Sequence, residues 1–226
     1  MWRLPLGPHH RALAVVTDRS LSPQTLQRHP RWEHRLAWAE QVHGAGVAAL
    51  EAAAPPARPV SGCDALMTQV PGLALAIRTA DCLPVFLWDP VQDVVGLAHA
   101  GWRGLAQHLP MRLVIMARQR YHCRAEDLWL GIGPAIRACC YEVRPDFSPI
   151  FSSHLRSGAS GRVTCDLVGY AIGDAIEAGV SPARVIDCGQ CTACEPERWH
   201  SVRRDGQGAG RLVSVVMIPS TTKAVP

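Results

Sequence analysis

The stretch ADCLPVFLWDPVQDVVGLAHAGW, residues 80–102, holds two apolar runs on either side of DPVQ. Asp89 followed by Pro90 is a turn signal, because an Asp side chain bonds backbone two residues on and proline presets φ. Two such runs around a short turn read as an antiparallel β-hairpin. Centring it between Pro90 and Val91 sets Cys82 opposite His99, with Cβ atoms roughly 5 Å apart. A thiolate and an imidazole at that distance share a metal or form a Cys–His nucleophile pair. A slip of one residue would put them on opposite faces, so the pairing depends on the turn.

Upstream, CDALMTQVPGLALAIRTADC contains a short strand, a turn at Pro71-Gly72 and a buried strand LALAIRT. Before it, GVAALEAA is a strand that fades into the proline-rich loop APPARPVSG. SPQTLQRHPRWEHRLAWAEQVHG starts as a helix capped at Ser22-Pro23 and is interrupted by Pro30, and RALAVVTDRS (Arg11 to Ser20) is a strand running into a turn. Downstream, GLAQHLPMRLVIMARQRYHC is read as one helix despite Pro110. DLWLGIGPAI is a strand ending in a glycine turn, and DLVGYAIGDAIEAGV has helical spacing with a stop at Gly179. RVIDCG and RLVSVVMIP are the last strands. Strands and helices alternate irregularly, with several strand-to-strand hairpins. That points to an α/β (α+β) fold of mixed, largely antiparallel sheets layered with helices, in one domain over residues 1–226.

The chain has 226 residues, 48% of them hydrophobic, enough for one large core. No apolar run approaches the ~20 residues of a membrane span. The start, MWRLPLGPHHRALAVV, lacks the apolar core and small-residue cleavage site of a signal peptide, so a cytoplasmic location is expected. Net charge is +4 and no basic run is interleaved with aromatics, which argues against nucleic-acid binding. Lys223 is the only lysine. Lysine-based covalent chemistry is therefore nearly excluded, and a phosphate held by side-chain cations must be held by arginine. Nine cysteines in such a chain read as reduced core residues, ligands or nucleophiles.

The segment CGQCTACEP puts Cys188, Cys191 and Cys194 at spacings of three. A closed zinc site needs four ligands, and His200 is the candidate fourth. His43, in EQVHGAGV, cannot be brought near the hairpin by spacing alone.

Six motifs occur in order: QVHG, DALMT, TADCLPV, AHAGWRG, GIGPAI…CCYEV and HSVRRDG…GR. Together, over roughly residues 38–218, the chain resembles the YfiH family, also called laccase-domain or multicopper polyphenol oxidase-like proteins. The resemblance implies a zinc site formed by His43, Cys82 and His99. It also implies a purine nucleoside phosphorylase for adenosine, inosine, guanosine and methylthioadenosine, with adenosine deaminase activity. The partners would then be a purine nucleoside and phosphate, with no nucleic acid and no membrane, and the protein a monomer or weak homodimer. A laccase reading is harder to justify: four coppers need many histidines, and the ten here form no H-x-H pair.

Deamination needs a proton-shuttling carboxylate. Asp81 beside Cys82 is one candidate, although adjacent strand residues face opposite ways, and Glu142 in CCYEV is another. Phosphorolysis needs a phosphate cradle, for which Arg103 in GWRG and the pair Arg203–Arg204 are the candidates. Relatives of this kind show Cys-Thr where Cys191-Thr192 stands, without flanking cysteines, so Cys188 and Cys194 read as packing or loop residues. Two departures stand out. Residues 1–37 form a shortened N-terminal arm that lacks the expected GGVS loop, and Val202 replaces a tyrosine. Two rival readings follow: a cysteine hydrolase that edits peptidoglycan precursors with Cys82 as nucleophile and His99 as base, and a non-catalytic metal-binding protein.

Overall fold

The computed structural model of the protein describes residues 2–5, 12–30, 32–158 and 161–220. In chain order the strands are β1 Trp2–Leu4, β2 Leu13–Val16, β3 Leu36–Trp38, β4 Val47–Leu50, β5 Ala65–Thr68, β6 Ala74–Thr79 and β7 Leu83–Asp89. They continue as β8 Val94–Ala100, β9 Trp129–Ile132, β10 Leu155–Ser157, β11 Val163–Cys165, β12 Val185–Asp187 and β13 Leu212–Met217. The helices are α1 Pro23–Gln27, α2 Trp102–Leu105, α3 Leu109–Tyr121, α4 Leu167–Glu177 and α5 Val202–Asp205.

Two large sheets carry the fold, ordered β1-β2-β13-β6-β3 and β12-β9-β7-β8-β5-β4, beside the small ribbon β10-β11. The pairings β3–β6, β4–β5 and β12–β9 are parallel and the rest antiparallel, so the expected mixed, largely antiparallel architecture holds. Alternation along the central strands sorts side chains between layers. In β7, Val85 and Leu87 pack beneath α3 and α4, while Phe86 and Trp88 face the other sheet. In β6, Leu75 and Ile77 meet that same inter-sheet core, and Ala74 and Ala76 face the outer layer with Leu26 and Trp32. A strand covered on both faces needs apolar residues at nearly every position, which is why the hairpin sequence looks continuously hydrophobic.

The hairpin forms, with a register that differs from the sequence reading. His99 pairs with Pro84, and Asp89 with Val94. The loop is therefore Pro90 to Asp93, four residues rather than two. Asp89 Oδ1 accepts from Val91 N (2.7 Å) and Gln92 N (3.1 Å), and Asp93 takes a positive φ of 50°. The turn chemistry was recognised but its length was not. The shift moves Cys82 two residues along from the partner of His99, and an even shift keeps both on one face.

Two further expectations are corrected. The helix read from Gly104 onward is two helices, α2 and α3, broken at His108, whose φ is 59°. Pro110 sits in the first turn of α3, where its missing N–H costs nothing. The interrupted helix that starts at Ser22 is only α1, capped by Ser22 accepting from Thr25 N; its later part contains β3, which pairs with β6. The strand read over RALAVVTDRS is β2, and its Arg11 lies outside the described residues, as do residues 6–10 and 31 of the N-terminal arm. The helix that stops at Gly179 (φ 107°) is α4. Among the described residues no helix is long and apolar enough to cross a membrane.

Candidate metal centre and substrate pocket

Three elements bring His43, Cys82 and His99 together. His99 stands near the end of β8 and Cys82 immediately before β7. His43 comes from the loop between β3 and β4, with φ at 59°. One ligand atom of each lies within 4.8 Å of the others. The rings of His43 and His99 meet edge to face, with centroids 4.9 Å apart. This is the juxtaposition that sequence spacing could not supply for His43.

Asp64, fully buried at the start of the DALMT motif, organises the group. Its Oδ1 accepts from His43 N at 3.0 Å and lies 2.8 Å from His99 Nδ1, while Oδ2 accepts from Gly44 N at 2.7 Å. A carboxylate beside Nδ1 holds a proton on that nitrogen and leaves Nε2 as the one available for ligation, the arrangement that orients a ligating histidine. The sequence reading quoted DALMT but assigned Asp64 no role; an acid opening an ordered motif next to a buried strand was the available signal. Gln41 is the second support. Its Nε2 donates to Arg78 O (2.6 Å) and its Oε1 accepts from Arg78 N (2.8 Å), so the side chain pairs with β6 as a strand would.

The charges in the group support one another. Burial opposes a charge on Cys82, but His43 and His99 beside the sulfur outweigh it and pull the thiol down to about 6. Burial likewise disfavours imidazolium at His99, but Asp64 and the Cys82 sulfur push that ring up to about 9. The site therefore favours a thiolate, the form that binds metal or attacks an electrophile. Two glycines make room for it. A Cβ on Gly101 would lie 3.2 Å from Cys82 Sγ and 3.6 Å from the His43 ring. A Cβ on Gly104 would lie 2.6 Å from Gly44 O, so α2 approaches the His43 loop only because that residue has no side chain.

The group opens into a cavity of about 720 Å³. Arg78, Arg103, Arg203 and Arg211 line it, and Trp102, Ile136 and Tyr141 form an apolar wall. Burial raises the Tyr141 phenol to about 12, so it remains a hydrogen-bond donor. The guanidinium of Arg203 lies 4.9 Å from the Tyr141 ring centre, and its NH1 donates to Glu142 O at 2.8 Å.

Of the residues singled out in the sequence, His43, Cys82, His99, Asp81, Arg103 and Arg203 line this cavity. Glu142 does not: its exposed carboxylate pairs with Arg162 at 2.9 Å. Arg204 also turns away, donating to the carbonyls of Thr192, Ala193 and Trp199, because the first turn of α5 sends neighbouring side chains in different directions. Asp81 lines the pocket, but Thr192 Oγ1 donates to one of its oxygens (2.6 Å) and Arg203 N to the other (2.7 Å). Its first evident duty is to hold the chain. Among the described residues His200 and Cys188 join no ligand group, and Cys191 and Cys194 lie instead with Cys139 and Cys140. Sequence reasoning also passed over Arg78, Arg211 and Tyr141.

The model of the family described as multi-copper polyphenol oxidoreductase laccase matches residues 9–219. The purine nucleoside phosphorylase YlmD of Geobacillus stearothermophilus is 32% identical over 230 residues, covering 94% of this chain and 84% of that protein. A protein named adenosine deaminase RL5, from an unknown prokaryotic organism, is 30% identical over 160 residues, which is 67% of this chain and 61% of the relative. The crystal structure of YlmD superposes with a TM-score of 0.83 at 28% identity, covering 96% of this chain and 94% of that one.

Proposed function

The chain belongs to the multi-copper polyphenol oxidoreductase laccase family, and from that membership and its site we propose that it is a zinc-dependent purine nucleoside phosphorylase. Its substrates are adenosine, inosine, guanosine and methylthioadenosine with phosphate, and it also deaminates adenosine. The observation that carries this reading is the Asp64-oriented His43/Cys82/His99 group opening into a cavity lined by four arginines and an aromatic wall.

Zinc suits the donor set. Two imidazoles and one thiolate are the three protein ligands of an open zinc site, and Asp64 supplies the carboxylate behind His99. A multicopper centre does not fit. Among the described residues, the groups able to hold a metal contain only His43 and His99 as imidazoles, whereas four coppers need many. A bound zinc ion would supply Lewis acidity and lower the pKa of a water to about 7.

The chain's own residues do the rest. Arg78, Arg103, Arg203 and Arg211 hold the phosphate dianion by charge-assisted hydrogen bonds. In phosphorolysis a phosphate oxygen bonds to C1′ as the C1′–N9 bond breaks, and the purine leaves with the electron pair and takes up a proton. Trp102 and Tyr141 offer faces on which the purine stacks. In deamination water adds at C6 and ammonia leaves, and Asp81 is the carboxylate lining the cavity. A cytoplasmic setting suits the nine cysteines, all present as free thiols.

One observation favours a second reading. Cys82, His99 and Asp64 also form the thiol–imidazole–carboxylate chain of a cysteine hydrolase. A triad gives no role to a second imidazole at the same sulfur, and His43 stands there. Metal content of the purified protein by mass spectrometry, wild type beside Cys82→Ala, separates the two. Zinc content that falls on substitution, with phosphate-dependent release of base from inosine in the wild type, supports the phosphorylase. Zinc content unchanged by the substitution, in a wild type that is alkylated and inactivated at Cys82, supports the hydrolase, and Cys82-dependent zinc without turnover leaves a metal-binding protein.

A further inference from the structure

Cys191 and Cys194 belong to a second group, 191 and 194 in the loop after β12, 139 and 140 in the turn after β9. Backbone pairing holds the two loops together. Ala135 bridges Cys191, Thr192 N donates to Ala135 O at 3.0 Å, and Cys140 N and Tyr141 N both donate to Arg137 O at 2.8 Å. The four sulfurs of Cys139, Cys140, Cys191 and Cys194 all lie within 4.8 Å of one another. Cys194 Sγ is 3.3 Å from that of Cys140 and 3.6 Å from that of Cys139. A disulfide needs about 2.05 Å, whereas a tetrahedron with Zn–S of about 2.3 Å has S···S edges of about 3.8 Å. The separations of 3.3 and 3.6 Å and the 4.8 Å limit for the rest bracket that edge and are too long for a disulfide.

The surroundings also suit a thiolate cage, which carries excess negative charge. Arg137 Nε donates to Gln190 O (3.3 Å) and Arg204 NH1 to Thr192 O (2.8 Å), so two guanidinium groups are anchored on the same loop.

We propose that Cys139, Cys140, Cys191 and Cys194 form a closed four-thiolate zinc site, distinct from the His43/Cys82/His99 group, that braces the pocket. Four protein ligands leave no open position, so the role is structural. The link to the pocket runs through Thr192, between Cys191 and Cys194, whose hydroxyl donates to Asp81 beside Cys82. Ile136 N, from the β9 side of the cage, donates to Asp81 O at 2.9 Å. An ion joining the two loops thus holds both anchors of the segment that presents Cys82. The site does not depend on the nucleoside reading.

The test uses full-length Cys82→Ala protein, in which zinc at the first group is lost. We expect zinc to be retained in that variant, and to disappear when Cys194→Ser is added. Since the doubly substituted protein could fail to fold, Co²⁺ is titrated into metal-stripped Cys82→Ala as a second measurement. The expected result is the intense visible bands and sulfur-to-cobalt charge transfer of a tetrahedral four-sulfur site, displaced by Zn²⁺. Metal-free Cys82→Ala that also shows no four-sulfur cobalt spectrum would overturn the proposal. So would a Cys140–Cys194 disulfide in peptide maps of protein purified under anaerobic conditions.

Discussion

Replacing Asp64 with asparagine removes one charge and almost no volume from the centre of the site. The carboxylate takes three contacts, from His43 N, Gly44 N and His99 Nδ1. An amide has a single acceptor oxygen, so it cannot satisfy donors on both sides of the group. Whichever orientation it adopts, an NH₂ faces either the Gly44 N–H or the donors at His43 and His99. A lost buried bond to a charged acceptor costs about 1.5–3 kcal/mol. The metal loses the partner that fixes the His99 tautomer, and loss of such an outer partner costs about 10- to 100-fold in affinity. We expect Asp64→Asn to lower the stability of the metal-free protein by about 1.5–3 kcal/mol in chemical denaturation. Zinc affinity, measured by competition against a chelator, should fall about 10- to 100-fold. A variant that folds normally and binds zinc as tightly as wild type would refute the idea that Asp64 orients His99.

Gly101→Ala should weaken zinc retention, since the new Cβ would lie 3.2 Å from Cys82 Sγ; the chelator competition reads this, and unchanged retention would mean that the sulfur can move. Gln41→Ala removes both hydrogen bonds to the Arg78 backbone and should cost about 1–3 kcal/mol in denaturant unfolding. Arg203→Met should raise KM for phosphate about 10- to 100-fold, the worth of a charged hydrogen bond, with a smaller change in KM for the nucleoside. Arg204→Met should do the opposite, lowering Tm while leaving both KM values near wild type, because Arg204 holds loop carbonyls rather than lining the cavity.

The hairpin shows how far local order reaches. Its apolar runs and Asp89-Pro90 turn are properties of neighbouring residues, and they put Cys82 and His99 on one face even though the loop length was misjudged. The same holds for α4, whose helical spacing and Gly179 stop lie within one short window. β3 was missed because Leu36, Ala37 and Trp38 are too few to display a period, and the segment becomes a strand only by pairing with β6. Arg203 and Arg204 are adjacent and chemically alike, yet the turn of α5 aims one at the cavity and the other at the Thr192 loop. Nothing in their local sequence separates them.

His43 and the four-sulfur group mark the same boundary. Residue types, spacing and motif order carry the hairpin, the mixed-sheet class and the choice of His43, Cys82 and His99 as candidate ligands. Asp64 reaches His99 across 35 positions, and Cys140 reaches Cys194 across 54. Such contacts are absent from any local pattern because sheet pairing and packing create them. A chain specifies which side chains are available; the burial of two sheets against each other sets which of them meet.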